Sequence, residues 1–146
     1  MPTAAKLIAG LALAITSAIA AYVFIGEHPE MPLGARFIGG NAVVGFFAGW
    51  YSLGKNPGHG NIAGGANGLR TLVLLLIGAG LVFSGVFVLG NLERLNFRDP
   101  MDMPLLWIQT AFEYVVLAMS QNVLIVLGVG GVLSGIASYQ ASIRWR

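Results

Sequence analysis

Few residues in this 146-residue chain could carry chemistry. Glu27, His28 and Glu30 stand together in the segment 26–36, GEHPEMPLGAR. Carboxylates and an imidazole suit a metal or other cation, but no second ligand pair follows at a diagnostic spacing. A solvated loop without a metal is therefore expected, because its two prolines and two glycines favour turns. Gln109 and Glu113 lie one helical turn apart. A carboxylate buried in a membrane would be a functional group, whereas one on a surface helix would be a solvated face. His59 belongs to 54–69, GKNPGHGNIAGGANGL, where six glycines could cradle a phosphate. That segment lacks the G-x-x-x-x-G-K-[ST] order and follows an apolar helix rather than a strand, so turn-rich backbone is expected there. With no cysteine, the chain has no thiolate ligand, thiol redox step or attached haem. No catalytic residue, metal ligand or cofactor emerges from these patterns.

The elements that would position such residues are apolar helices. Hydrophobic residues make up 56% of the chain and charged residues only 10%. A soluble domain carries roughly 25% charged residues to coat its surface, so this chain reads as a single membrane domain. Its net charge of +2 is not gathered into a basic stripe, which argues against nucleic acid.

Four spans are expected, at about 7–25, 37–53, 71–89 and 123–139. The first is 19 residues without a charge, roughly 28 Å of helix and close to the hydrocarbon thickness. Lys6 and the triplet Ala18, Ile19, Ala20 also resemble a signal peptide with its cleavage site. The apolar run continues past that triplet, so a retained helix is expected. Between the third and fourth spans, about 104–119 reads as a short amphipathic helix lying at the membrane surface, with Pro104 in its first turn and a break at Ser120, Gln121 and Asn122. The expected fold is thus an all-α integral membrane protein of four transmembrane helices plus one interfacial helix.

Small residues mark the packing faces. Asn41, Gly45, Ala48 and Gly49 fall on one side of the second span, opposite Val43, Phe46, Phe47 and Trp50. Glycines four apart let helix backbones approach closely. Gly10, Ala14 and Ala18 form a second stripe, and Gly131 and Gly135 a third. Tyr22, Trp50, Tyr51, Tyr139 and Trp145 fall near span ends, where amphipathic rings anchor at the interface.

Four spans would put Lys6, Lys55, Arg70, Arg144 and Arg146 on one side, and Arg36, Arg94 and Arg98 with all six acids on the other. The excess of Lys and Arg makes the first side cytoplasmic, with both termini. His28 and His59 would then be separated by the bilayer.

Taken together, MPTAAKL at the N-terminus, the N-A-x-x-G-x-x-x-G-W run from Asn41 to Trp50, Asn67-Gly68, and Arg144-Trp145-Arg146 resemble the TrgA-like bacterial membrane proteins. The resemblance implies the bacterial inner membrane and an association with tellurium resistance. It brings no catalytic motif; Asn41, Gly45, Gly49 and Trp50 carry over only as structural positions. Two functions are weighed. One is a non-enzymatic accessory or scaffold subunit, packed through its glycine faces against itself or a larger membrane complex, such as a respiratory or photosynthetic one. The other is a transporter or a tellurite-handling resistance protein. No Asp, Glu, Lys or Arg lies inside the four expected spans, which favours the first.

Overall fold

A computed structural model describes residues 3–31, 33–56, 58–94 and 99–144. The anchor expected at Trp145 and the charges of Arg98 and Arg146 lie outside these residues. Five α-helices follow in order: α1 (Thr3–Glu27), α2 (Ala35–Ala48), α3 (Asn61–Gly90), α4 (Asp102–Ala118) and α5 (Gln121–Arg144). A π-helical turn, Gly49–Leu53, continues α2. The described residues contain no strand.

Three helices are long and apolar enough to cross a membrane, within Ala4–Glu27, Asn61–Gly90 and Gln121–Arg144. Four had been expected. The second expected span, 37–53, is divided: its α-helical part is only 14 residues, about 21 Å against a hydrocarbon core of roughly 30 Å. In the wider turn that follows, the Gly54 amide donates to the Gly49 carbonyl at 2.8 Å, five residues back.

α3 corrects a second expectation. The glycine-rich stretch expected as turns across 54–69 is helical from Asn61, so α3 runs 30 residues. Only its first part turns, where Gly58 and Gly60 take positive φ of 87° and 125°. Those are left-handed angles that glycine adopts without a Cβ clash. Gly64, Gly65 and Gly68 are instead buried in the helix, which costs each about 1 kcal/mol against alanine. Packing must supply the compensation.

The helices close a ring in which every neighbour is antiparallel. α2 lies along α1, with Phe37 against Phe24 and Gly49 beside Ala9. α5 lies along α1's other side, with Ser134 near Thr16. α3 closes the ring by meeting α5 at Gly68 and Gly131, and α2 at Phe83 and Phe37. This order places the start of α1, the loop after α2 and the end of α5 at one end of the bundle. α4 lies outside the ring along the second half of α3, with Trp107 beside Gly85 and Val115 beside Gly80. The Trp107 indole N–H donates to the Leu81 carbonyl at 2.8 Å.

The interior is small and the exterior large. Ala9, Leu13, Ala20, Phe24, Leu53, Leu72, Leu75, Val123 and Leu127 form the core cluster. Leu11, Ile15, Ile19, Val73, Ile77, Ile125 and Leu133 point outward. Water would not tolerate so continuous an apolar surface, whereas lipid requires it. Composition and helix length therefore mark a membrane protein. Hydrogen–deuterium exchange in detergent should find the amides of 66–70 as slow as those of 72–75. Exchange at free-loop rates over 66–70 would contradict the early start of α3.

Candidate functional site

The places where side chains are missing define the most tightly built region. A Cβ on Gly68 would stand 2.8 Å from the Gly131 carbonyl carbon, and one on Gly135 would stand 2.7 Å from that of Gly64. Real contacts are never so short, so α3 and α5 cross backbone to backbone. α2 meets α1 in the same manner. A Cβ on Gly45 would lie 2.6 Å from the Leu13 carbonyl oxygen, and one on Gly49 would lie 2.8 Å from the Ala9 carbonyl carbon.

The stripes thus meet partners inside the chain. Gly45 and Gly49 face Ala9, Gly10, Leu13 and Ser17. Gly10 lies under the Phe46 ring, while Ala14 and Ala18 are only half-buried. The α1 face that receives α2 is therefore turned one residue from the expected Gly10, Ala14, Ala18 line. Ala48 is half-buried beside the core cluster. Gly131 and Gly135 face Leu72, Gly64, Gly65 and Gly68. Among the aromatic anchors, Tyr22 and Tyr51 are exposed, whereas Trp50 and Tyr139 are half-buried. Trp50 stacks toward Phe46 at 5.7 Å.

Hydroxyls fasten the faces that glycines bring together. Ser17 donates to the Asn41 backbone carbonyl at 2.8 Å, linking α1 to α2. The Asn41 amide donates within its own helix, to Phe37 O at 3.0 Å. The bond between α1 and α2 is thus made by the Ser17 hydroxyl and not by the Asn41 amide. The Thr16 and Ser134 hydroxyls lie 3.4 Å apart between α1 and α5, and those of Ser52 and Thr71 lie 2.9 Å apart between the π turn and α3. Between the helices a cavity of about 50 Å³ is lined by Ser17, Asn41 and Tyr114 and by the rings of Phe24, Phe37 and Phe83. It has room for a few waters.

At the opposite end from the termini, Glu27 does what its neighbours in sequence did not foretell. One carboxylate oxygen accepts from the Ser120 hydroxyl, and the other accepts from the Asn122 side-chain amide at 2.7 Å. The carboxylate thereby sits at the N-terminus of α5, where the helix dipole favours an anion. The hydrogen bonds from Ser120 and then Asn122 hold the Glu27 carboxyl below its ordinary range, with desolvation opposing them and the nearby His28 adding a lesser favourable effect. His28 stacks on Phe24 at 4.5 Å and directs Nδ1 to the Phe24 carbonyl at 3.1 Å. Among the described residues no three of His, Cys, Asp and Glu gather as a metal cluster. Glu113 is exposed and shares a surface recess with Gln109, Met31 and Tyr114. Comparisons with family models, curated proteins and solved structures return no match.

Two outcomes follow from this geometry. Gly68→Ala or Gly45→Ala should destabilise the protein in detergent by about 1–3 kcal/mol through overpacking. Gly128→Ala, with open space at its Cβ, should be neutral or raise stability slightly; equal losses at all three positions would contradict the close crossings. A lowered Glu27 pKa stabilises the fold above the unfolded value of 4.5 and loses that contribution as pH falls through the folded value. The melting temperature should accordingly drop on acidification below about 4.5, and Glu27→Ala should flatten that part of the profile.

Proposed function

We propose that this chain is a small, non-enzymatic, four-pass membrane protein that serves as an accessory or scaffold subunit. The carrying observation is the make-up of the ring interior. The buried polar residues are Thr16, Ser17, Asn41, Thr71, Ser84, Ser134 and Ser138 in the ring helices and Thr110 where α4 packs against them. Among the described residues, none of the buried set ionises. Pumps and proton-coupled transporters place acids, bases or histidines along their path, and hydroxyls that fasten helices are structural equipment.

In this reading α2 and its π turn, together 19 residues, cross as one element. α4 packs antiparallel on the second half of α3, from Gly85 to Gly80, with Leu105, Ile108, Phe112 and Val116 facing the acyl region and Gln109 and Glu113 exposed on the adjoining face. Lys6, Lys55, Arg70 and Arg144 lie on the cytoplasmic side with both termini. The TrgA-like resemblance supports a bacterial inner membrane. Because the glycine faces are occupied within the chain, a partner in a larger complex, or a second copy, would meet the leucine, isoleucine and valine exterior.

Native mass spectrometry after mild-detergent extraction is expected to retain a stoichiometric partner or a second copy. A lone monomer would count against the subunit role. Liposomes carrying the purified protein should take up tellurite no faster than empty vesicles, and protein-dependent uptake would favour the transport alternative.

A further inference from the structure

At the end that holds the termini, a cleft of about 120 Å³ opens between the π turn and α3, lined by Tyr51, Ser52, Lys55, Asn56, Asn67 and Arg70, with Leu74 at its upper edge. Its floor is fixed by a chain of hydrogen bonds. Ser52 and Thr71 share one at 2.9 Å, Thr71 donates to Asn67 O at 2.8 Å, and the Asn67 amide donates to Asn56 O at 3.0 Å. Lys55 is held over the Tyr51 ring, its Nζ 5.6 Å from the centroid. Helical spacing puts Asn67, Arg70 and Leu74 on one face of α3.

Two features make this more than a polar notch. The cations Lys55 and Arg70 have no opposing charge: all six acids of the chain lie at the bundle's other end or in the loops there. Among the described residues neither cation forms an ion pair. The cleft also sits where α3 changes character, because the charge-free run begins at Thr71. Above Arg70, the exposed Leu74, Ile77 and Leu81 continue up the same helix. A guanidinium and an ammonium thus flank one small polar space, and an apolar track leads away from it into the bilayer region.

We infer that this cleft binds the phosphate headgroup of an anionic phospholipid. Arg70 offers the planar fork that matches phosphate oxygens, Lys55 adds a second charge from the other wall, and the acyl chains follow Leu74, Ile77 and Leu81. The apolar track selects a lipid over free phosphate. The site uses the membrane placement above but not the subunit role, so a failure to find a partner leaves it standing.

Full-length protein in mild detergent, titrated with phosphatidylglycerol or phosphatidylcholine, allows native mass spectrometry to count bound lipids. Phosphatidylglycerol should be preferred. Arg70→Gln and Lys55→Gln should each weaken it about fivefold, and the pair about 25-fold, with helix content by circular dichroism unchanged. Arg144→Gln, which removes a cation at the same end outside the cleft, should leave binding within about twofold of wild type, because a headgroup contact is local. Equal binding of the two lipids, or an equal loss in Arg144→Gln, would overturn the site in favour of diffuse surface charge. Displacement of phosphatidylglycerol by millimolar inorganic phosphate would overturn the lipid assignment and leave a free-anion site; retention of the lipid supports it.

Discussion

Everything in this bundle depends on how closely α3 and α5 approach. A methyl group on Gly68 would run into the backbone of Gly131, one on Gly135 into the backbone of Gly64, and one on Gly131 into the Leu72 side chain. Four glycines inside helices cost about 4 kcal/mol relative to alanines, so the crossing has to recover that through dispersion contacts between backbones. Once made, it sets the rest. α3 is fixed where Thr71 reaches Ser52, and α5 is fixed where Ser134 reaches Thr16 and its first turn reaches Glu27. α1 then receives α2 over Gly45 and Gly49. In lipid there is no hydrophobic force between helices, and close packing with interhelical hydrogen bonds has to stand in for it.

Composition and hydropathy made the helical class readable, because a chain with so few charges leaves little alternative. The limits of the elements were harder to read. Residues 61–70 carry Gly-Gly and Asn-Gly pairs, which are turn signals over short range. Tertiary packing overrides them because the same glycines are what α5 requires. The π turn after Ala48 left no mark in residue type. On α1, small residues occupy the Gly10, Ala14, Ala18 line and also Ala9 and Ser17 on either side of Leu13 in the neighbouring line, so spacing alone could not choose between faces about 100° apart. Glu27 looked like a loop ligand beside His28 and Glu30; its partners, Ser120 and Asn122, lie more than ninety residues away in the sequence.

The polar residues divide by position into two kinds of work. Inside the ring, the hydroxyls of Ser17, of Thr16 with Ser134 and of Ser52 with Thr71 link one helix to the next without introducing charge, whereas Ser84 bonds within its own helix and the buried Ser138 hydroxyl has no partner among the described residues. At its ends the charged groups are sorted, with cations alone at one end and the acids at the other. The Glu27 link to α5 and the Lys55–Arg70 cleft are the two places where that sorting becomes specific geometry. One ties the protein to itself, and the other presents an unmatched pair of cations at the edge of the apolar zone.

The antiparallel ring is tested most directly by a covalent link across it. The chain has no cysteine, so a pair introduced as Thr16→Cys and Ser134→Cys is unambiguous, and the native hydroxyls there lie 3.4 Å apart across 118 residues of sequence. Mild oxidation in membranes should give an intramolecular disulfide, seen as a faster-migrating monomer that reverts on reduction. Tyr22→Cys paired with Ser134→Cys should give none. Failure of the first pair to close within one chain, or its appearance only as a cross-linked dimer, would contradict the arrangement of α1 and α5.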